Sequence, residues 1–218
     1  MRGGWSLIVL AGLAAGCAEP QRPELGYLPP LGEPPSGMSV LVQQEPWLVW
    51  GNVFDHLQQQ GLQLESVNEE ARRLVVAYSG DPQPFVDCGW IVKYDSDDLE
   101  RIPAAGSDAS FPRRRSGEIV NLHRDLHLDA KAKVRIEPAG EHSLVKVDSV
   151  YRLTKTIRPE TMHRPEHMQT VVFETGDGAS FESGTRCQPN GQLERLVFEA
   201  LPAVSLADRP LRPHRARQ

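Results

Sequence analysis

The sequence predicts an α+β fold: a curved antiparallel sheet of about six strands with two helices packed on one face. Three observations carry this. Leu126, Leu128, Ala130, Ala132, Val134 and Ile136 alternate with His127, Asp129, Lys131, Lys133, Arg135 and Glu137, a period of two that fits a half-buried strand. The stretch EPWLVWGNVFDHLQQQG places Trp47, Trp50, Val53, Phe54 and Leu57 at helical spacing, and NGQLERLVFEAL does the same with Leu193, Leu196, Val197, Ala200 and Leu201.

Taken in order, structure begins near Met38 with the strand MSVLVQQ. In the helix that follows, Pro46 suits the first turn and Gly61 the C-terminal end. LQLESV and RRLVVAYS flank NEEA as a hairpin, and PFVDCGWIVKY supplies another strand. Residues 96–118 mix acids, Gly, Pro and three arginines without periodicity and read as a surface loop. The alternating strand then turns at AGEH and returns through LVKVDSVYRLTKT, a long, strongly twisted hairpin. QTVVFET is a further strand, TGDGAS a turn, and Asn190 is placed to cap the second helix.

The chain opens with Arg2, an apolar run from Trp5 to Ala15 and small residues before Cys17. That run is too short to span a bilayer, which takes about 20 residues, and it reads as an export signal over 1–16. An ordinary secretory signal cleaved nearby is the alternative. Residues 17–37, with prolines at 20, 23, 29, 30, 34 and 35, read as a tether in extended polyproline geometry. A single domain is expected over 38–203 and a basic tail over 204–218, carrying Arg209, Arg212, Arg215 and Arg217.

Without the signal, 23 basic side chains face 29 acidic ones, a balance that argues against general nucleic-acid binding. Three cysteines are present, Cys17, Cys88 and Cys187. If the first is modified, pairing Cys88 with Cys187 is the simplest arrangement in an oxidising compartment. A reactive thiol beside a histidine and two unpaired buried thiols stay open at this point.

The motifs for chemistry are few. His123, Asp125 and His127 share one strand face, and a zinc ion takes three or four such ligands. Residues four apart on a strand are about 13 Å distant, however, too far for both rings to reach one ion easily. His163 and His167 have the same spacing, interrupted by Pro165. G-x-S-x-G, H-E-x-x-H and a phosphate loop are absent from the sequence. No enzyme, metal or cofactor is expected. A partner surface is expected at Trp47, Trp50, Arg113, Arg114 and Arg115.

Leu13-Ala14-Ala15-Gly16-Cys17 resembles the lipobox of bacterial lipoproteins, with Ala14 standing where that family most often has Leu. The resemblance implies a Cys17 linked to diacylglycerol and acylated at its new amine, hence a membrane anchor. Ala18, not Asp, follows it, which in that family implies the periplasmic face of the outer membrane. Asp87-Cys88-Gly89 and the late C-x3-G-x-L-E element, with Cys187, Gly191, Leu193 and Glu194, resemble uncharacterised proteobacterial lipoproteins. The segment from Trp50 to Tyr78 is similar to the repeated domain of the C-component lipoprotein of the outer-membrane β-barrel assembly machinery. The resemblance to the uncharacterised lipoproteins implies no known activity, and the partner of the assembly-machinery lipoprotein does not carry over, because the leader here differs in sequence. The leading expectation is a non-enzymatic accessory or scaffold in envelope assembly or maintenance, with another envelope protein as partner. The alternative is a periplasmic carrier or sensor holding an apolar ligand between sheet and helix.

Overall fold

The computed structural model describes residues 25–95, 98–115, 117–161 and 164–202. Its strands are β1 (Leu25–Leu28), β2 (Met38–Val42), β3 (Gln63–Asn68), β4 (Arg73–Gly80), β5 (Val86–Asp87), β6 (Trp90–Asp95), β7 (Asp98–Pro103), β8 (Asp108–Arg115), β9 (Glu118–Ala139), β10 (His142–Pro159), β11 (His167–Glu174), β12 (Ala179–Ser180) and β13 (Arg186–Pro189). The helices are α1 (Pro46–Gln59) and α2 (Gln192–Phe198).

The β9–β10 hairpin organises the molecule. Its strands pair from His142 opposite Ala139 to Pro159 opposite Leu122, so each is long enough to take two neighbours in succession along its other edge. β10 pairs β2 over 143–147 and then β11 over 150–157. β9 pairs β4 over 128–135 and β8 over 118–125. With β3 on β4, this makes a seven-stranded sheet that is entirely antiparallel in its pairings. Two three-stranded sheets, β1-β6-β7 and β12-β13-β5, stand beside it.

The period-two pattern sorts the two faces as expected. Leu126, Leu128, Ala130, Ala132, Val134 and Ile136 of β9 are buried, as are Val145, Val147, Tyr151 and Leu153 of β10. Ala130 stands opposite Tyr151, so a small side chain faces the largest fully buried one. α1 starts on Pro46, which gives up no backbone bond at a helix's first turn. It buries Val49, Trp50, Val53 and Leu57 and ends before Gly61, whose φ of 70° suits glycine. Among the described residues no helix is long and apolar enough to cross a membrane.

Cys88 and Cys187 form the disulfide, both fully buried. It fastens the segment between β5 and β6 to β13, beside the pairing of Asp87 with Gln188.

The expectation of about six strands with both helices on one face is corrected in both parts. The strand count rises because β9 and β10 each accept two partners along the edge they do not share. The helices are not a matched layer on the sheet: α1 runs between β2 and β3 in the chain, whereas α2 continues from β13 and contacts α1, β10 and β9. The stretch over 96–118 read as a surface loop contributes β7 and β8 instead. β8 carries Pro112 and three arginines because it is an edge strand on β9, where a missing donor and charge are tolerated. Part of the proline-rich stretch is also docked: β1 pairs β6, and Pro35 and Met38 lie against Gly191. Residues 17–24 lie outside the described residues.

Candidate functional site

The face of β9 and β10 opposite their buried side chains carries the polar members of each strand. At the open end of the hairpin the register sets Asp108 opposite Asp125 and Ser110 opposite His123. His123 Nδ1 lies 3.3 Å from Asp108 Oδ1 and 3.3 Å from Ser110 Oγ, and Nε2 lies 3.1 Å from Asp125 Oδ1. Asp125 Oδ2 is 3.5 Å from Arg158 Nε. Asp108, His123 and Asp125 thus offer ligand atoms within 4.8 Å of one another. The arrangement ties β8 to β9.

His127, expected beside His123, joins a different group. Its Nε2 lies 2.9 Å from Ser79 Oγ and 3.5 Å from Asp129 Oδ1, and Ser79 Oγ donates to Asp129 Oδ1 at 2.8 Å. Serine, histidine and aspartate are the residue types of a hydrolase triad. In a triad the acid holds one ring nitrogen while the other takes the serine proton. Here serine and aspartate address the same nitrogen, and the serine proton goes to the aspartate, so this trio cannot activate a nucleophile. Of the second histidine pair, His167 Nε2 lies 3.8 Å from Glu182 Oε2, and His163 lies outside the described residues.

The expected partner surface divides. Trp47 is 64% exposed, with its indole N–H donating to Glu45 Oε2 at 2.8 Å, and Leu48 beside it is 40% exposed. Trp50, by contrast, is buried and stacks on Phe54 with centroids 6.1 Å apart, which corrects its placement on that surface. Three positions apart, the two are neighbours on the helix surface, but only Trp50 reaches into the core. Arg113 is exposed on β8. The side chains of Arg114 and Arg115, the tail arginines and Cys17 lie outside the described residues.

The Asp87-Cys88-Gly89 element and the late C-x3-G-x-L-E element meet in space. Asp87 Oδ1 accepts from Gly89 N–H at 2.8 Å, and Cys88 takes up the disulfide. Gly89, at φ 73°, leaves room for β1: a Cβ there would lie 2.0 Å from the Leu28 carbonyl oxygen. Tyr27 follows through, its hydroxyl accepting from Arg186 N–H at 2.9 Å and lying 3.1 Å from the Cys88 carbonyl. Burial raises that phenol above its ordinary value, with Asp87 adding to the shift against the Arg186 backbone hydrogen bond. Gly191 begins α2 at φ 78° against Pro35, Leu193 enters the core, and Glu194 is fully buried. Glu194 accepts from Tyr151 Oη at 2.9 and 3.0 Å and from Thr175 Oγ1 at 2.8 Å. Every position of both elements therefore has an architectural role.

Sequence reasoning passed over two buried cations. Arg124 donates to the carbonyls of Ala104 at 3.0 Å and Gly106 at 3.3 Å, and Lys155 donates to Ser183 Oγ at 2.8 Å beneath the Phe181 ring. Burial lowers the pKa of each, and for Lys155 the Arg124 charge adds to it against an opposing effect of Glu182. The signal was phase: Arg124 shares the inward parity of Leu122 and Leu126, as Lys155 shares that of Tyr151 and Leu153. Asp108 gave no such signal, because no periodicity surrounds it.

Compared with models of protein families and with curated proteins, the chain matches none.

Proposed function

We propose that the protein is a non-enzymatic lipoprotein, anchored through Cys17 on the periplasmic face of the outer membrane, whose domain serves as an accessory or scaffold by holding another envelope protein. The observation that carries the partner reading is Trp47. A large aromatic ring is 64% exposed at the start of a helix, with its polar end fixed by Glu45. Tryptophan presented rigidly is the commonest kind of anchor in protein interfaces. The carrier alternative calls for an apolar cavity between sheet and helices. That space is occupied by Val49, Val53, Leu57, Tyr151, Leu193 and Val197, each at most 1% exposed.

Affinity purification after cross-linking in gently solubilised membranes tests the scaffold. A stoichiometric envelope protein is expected, lost or much depleted with Trp47→Ala; recovery of none sinks the reading. The anchor is tested separately. Cys17→Ser is expected to abolish acylation and leave unprocessed precursor, and normal processing would defeat it.

A further inference from the structure

The sheet's outer face holds a concavity of about 370 Å³. It is lined by Arg73 and Val75 of β4, Lys133 and Arg135 of β9, and Asp148 of β10. Leu74 and Val134, whose side chains are buried on the other face, complete its floor. The charges around it do not balance. Arg73 stands directly opposite Arg135 across the β4–β9 register, and Lys133 is two positions along the same face. Like charges set opposite one another on neighbouring strands repel. The one carboxylate in the lining, Asp148, is bonded to Arg135. Among the described residues neither Arg73 nor Lys133 has an ion-pair partner. Glu137, which feels the Arg73 charge, is bonded to Lys146 Nζ at 2.7 Å.

Three cations therefore line one hollow with a single, already engaged acid. Two guanidinium forks and an ammonium offer more donors than the two oxygens of a carboxylate can accept, and they match the tetrahedral oxygens of phosphate. We propose that this concavity binds a phosphate group, that of a phospholipid headgroup or of a soluble phosphate. Val75 and the methylene stems of the cations supply an apolar wall for whatever carries it. The site does not depend on the lipid-anchor reading.

The test is an NMR titration of the full chain with inorganic phosphate at constant ionic strength. Saturable shifts are expected in the amides of 73–75 and 133–135. Arg73→Gln and Lys133→Gln should each weaken binding about tenfold, as loss of a charged hydrogen bond does. Lys131→Gln removes an ammonium already bonded to Glu65 and outside the lining, and it should leave binding within about twofold, as for other exposed pairs. Absence of saturable shifts overturns the site, as does equal weakening by Lys131→Gln, which would mark diffuse attraction. Short-chain phosphatidylglycerol, with phosphatidylcholine as control, separates the sources. Shifts of the same amides by the glycerol lipid assign the site to headgroups, and shifts by inorganic phosphate alone assign it to a soluble phosphate.

Discussion

Gly89 and Tyr151 show how much hangs on single side chains. An alanine at 89 would put its Cβ 2.0 Å from Leu28 O and 2.7 Å from Pro29 C, both backbone atoms that cannot swing aside. With φ at 73°, the residue is also in a region where a side chain is strained. Gly89→Ala is expected to lift β1 from β6, cost about 1–3 kcal/mol, and open the chain after Leu25 to limited proteolysis; an unchanged digestion pattern would contradict this. Tyr151 is held far above the ordinary phenol range, chiefly by burial and then by the Glu194 charge beside it. Its neutral form is favoured in the folded chain. The bond to Glu194 is thus intact below the unfolded-state pKa of about 10, and stability falls above it as the unfolded phenol ionises, at up to about 1.4 kcal/mol per pH unit. Tyr151→Phe should cost about 1–3 kcal/mol at neutral pH by leaving the buried Glu194 carboxylate with Thr175 as its remaining donor, yet flatten the alkaline loss. Equal slopes for both proteins in urea titrations across about pH 9 to 11 would refute the assignment. Burial raises Tyr27 and Tyr78 as well, so some slope persists in the variant.

At the scale of elements, legibility followed periodicity. β9, β10 and α1 announce themselves because each has one dry and one wet side, which imposes period two or three-and-four on the residues. β7 and β8 escaped because neither has a strongly apolar side: β8 runs Asp, Ala, Ser, Phe, Pro, Arg along an edge, and an edge strand is fixed by its neighbour's backbone more than by its own pattern. The Asp108 contact to His123 was lost with it, since that contact is made by register across two strands and not by spacing along one. Hydrogen exchange tests this ranking. Amides of β9 over 128–135 and of β10 over 145–147 and 150–153, flanked by strands on both sides, should be the most protected, and those of β3 and β8 should exchange first. Comparable protection in β8 and in the middle of β9 would mean that the edge strand opens only with the whole sheet.

For the molecule as a whole, the α+β class and the cysteine pairing were readable, the latter because three cysteines and one plausible anchor leave only two to join. The docking of the leader was not. Prolines at 29, 30, 34 and 35 advertise an extended chain, and an extended chain is equally suited to hanging in solvent or to lying along a surface. The choice is made by residues far away in sequence: Gly89, Gly176 and Gly191 lie against the leader, and Gln188 Nε2 donates to Gly32 O at 3.4 Å. Local pattern carries no trace of such a decision.

The bridge between Cys88 and Cys187 spans 99 positions and encloses β6 through β12 and the start of β13. That stretch is a closed covalent ring, with one arm leaving towards the amino terminus and the other towards the carboxyl terminus. A protease that cuts the ring once, between β6 and β7 for example, opens a circle without releasing a fragment. The two arms stay joined until a reductant acts, so damage to this part of the chain would be invisible to size analysis under oxidising conditions and appear as two pieces once the sulfurs are separated.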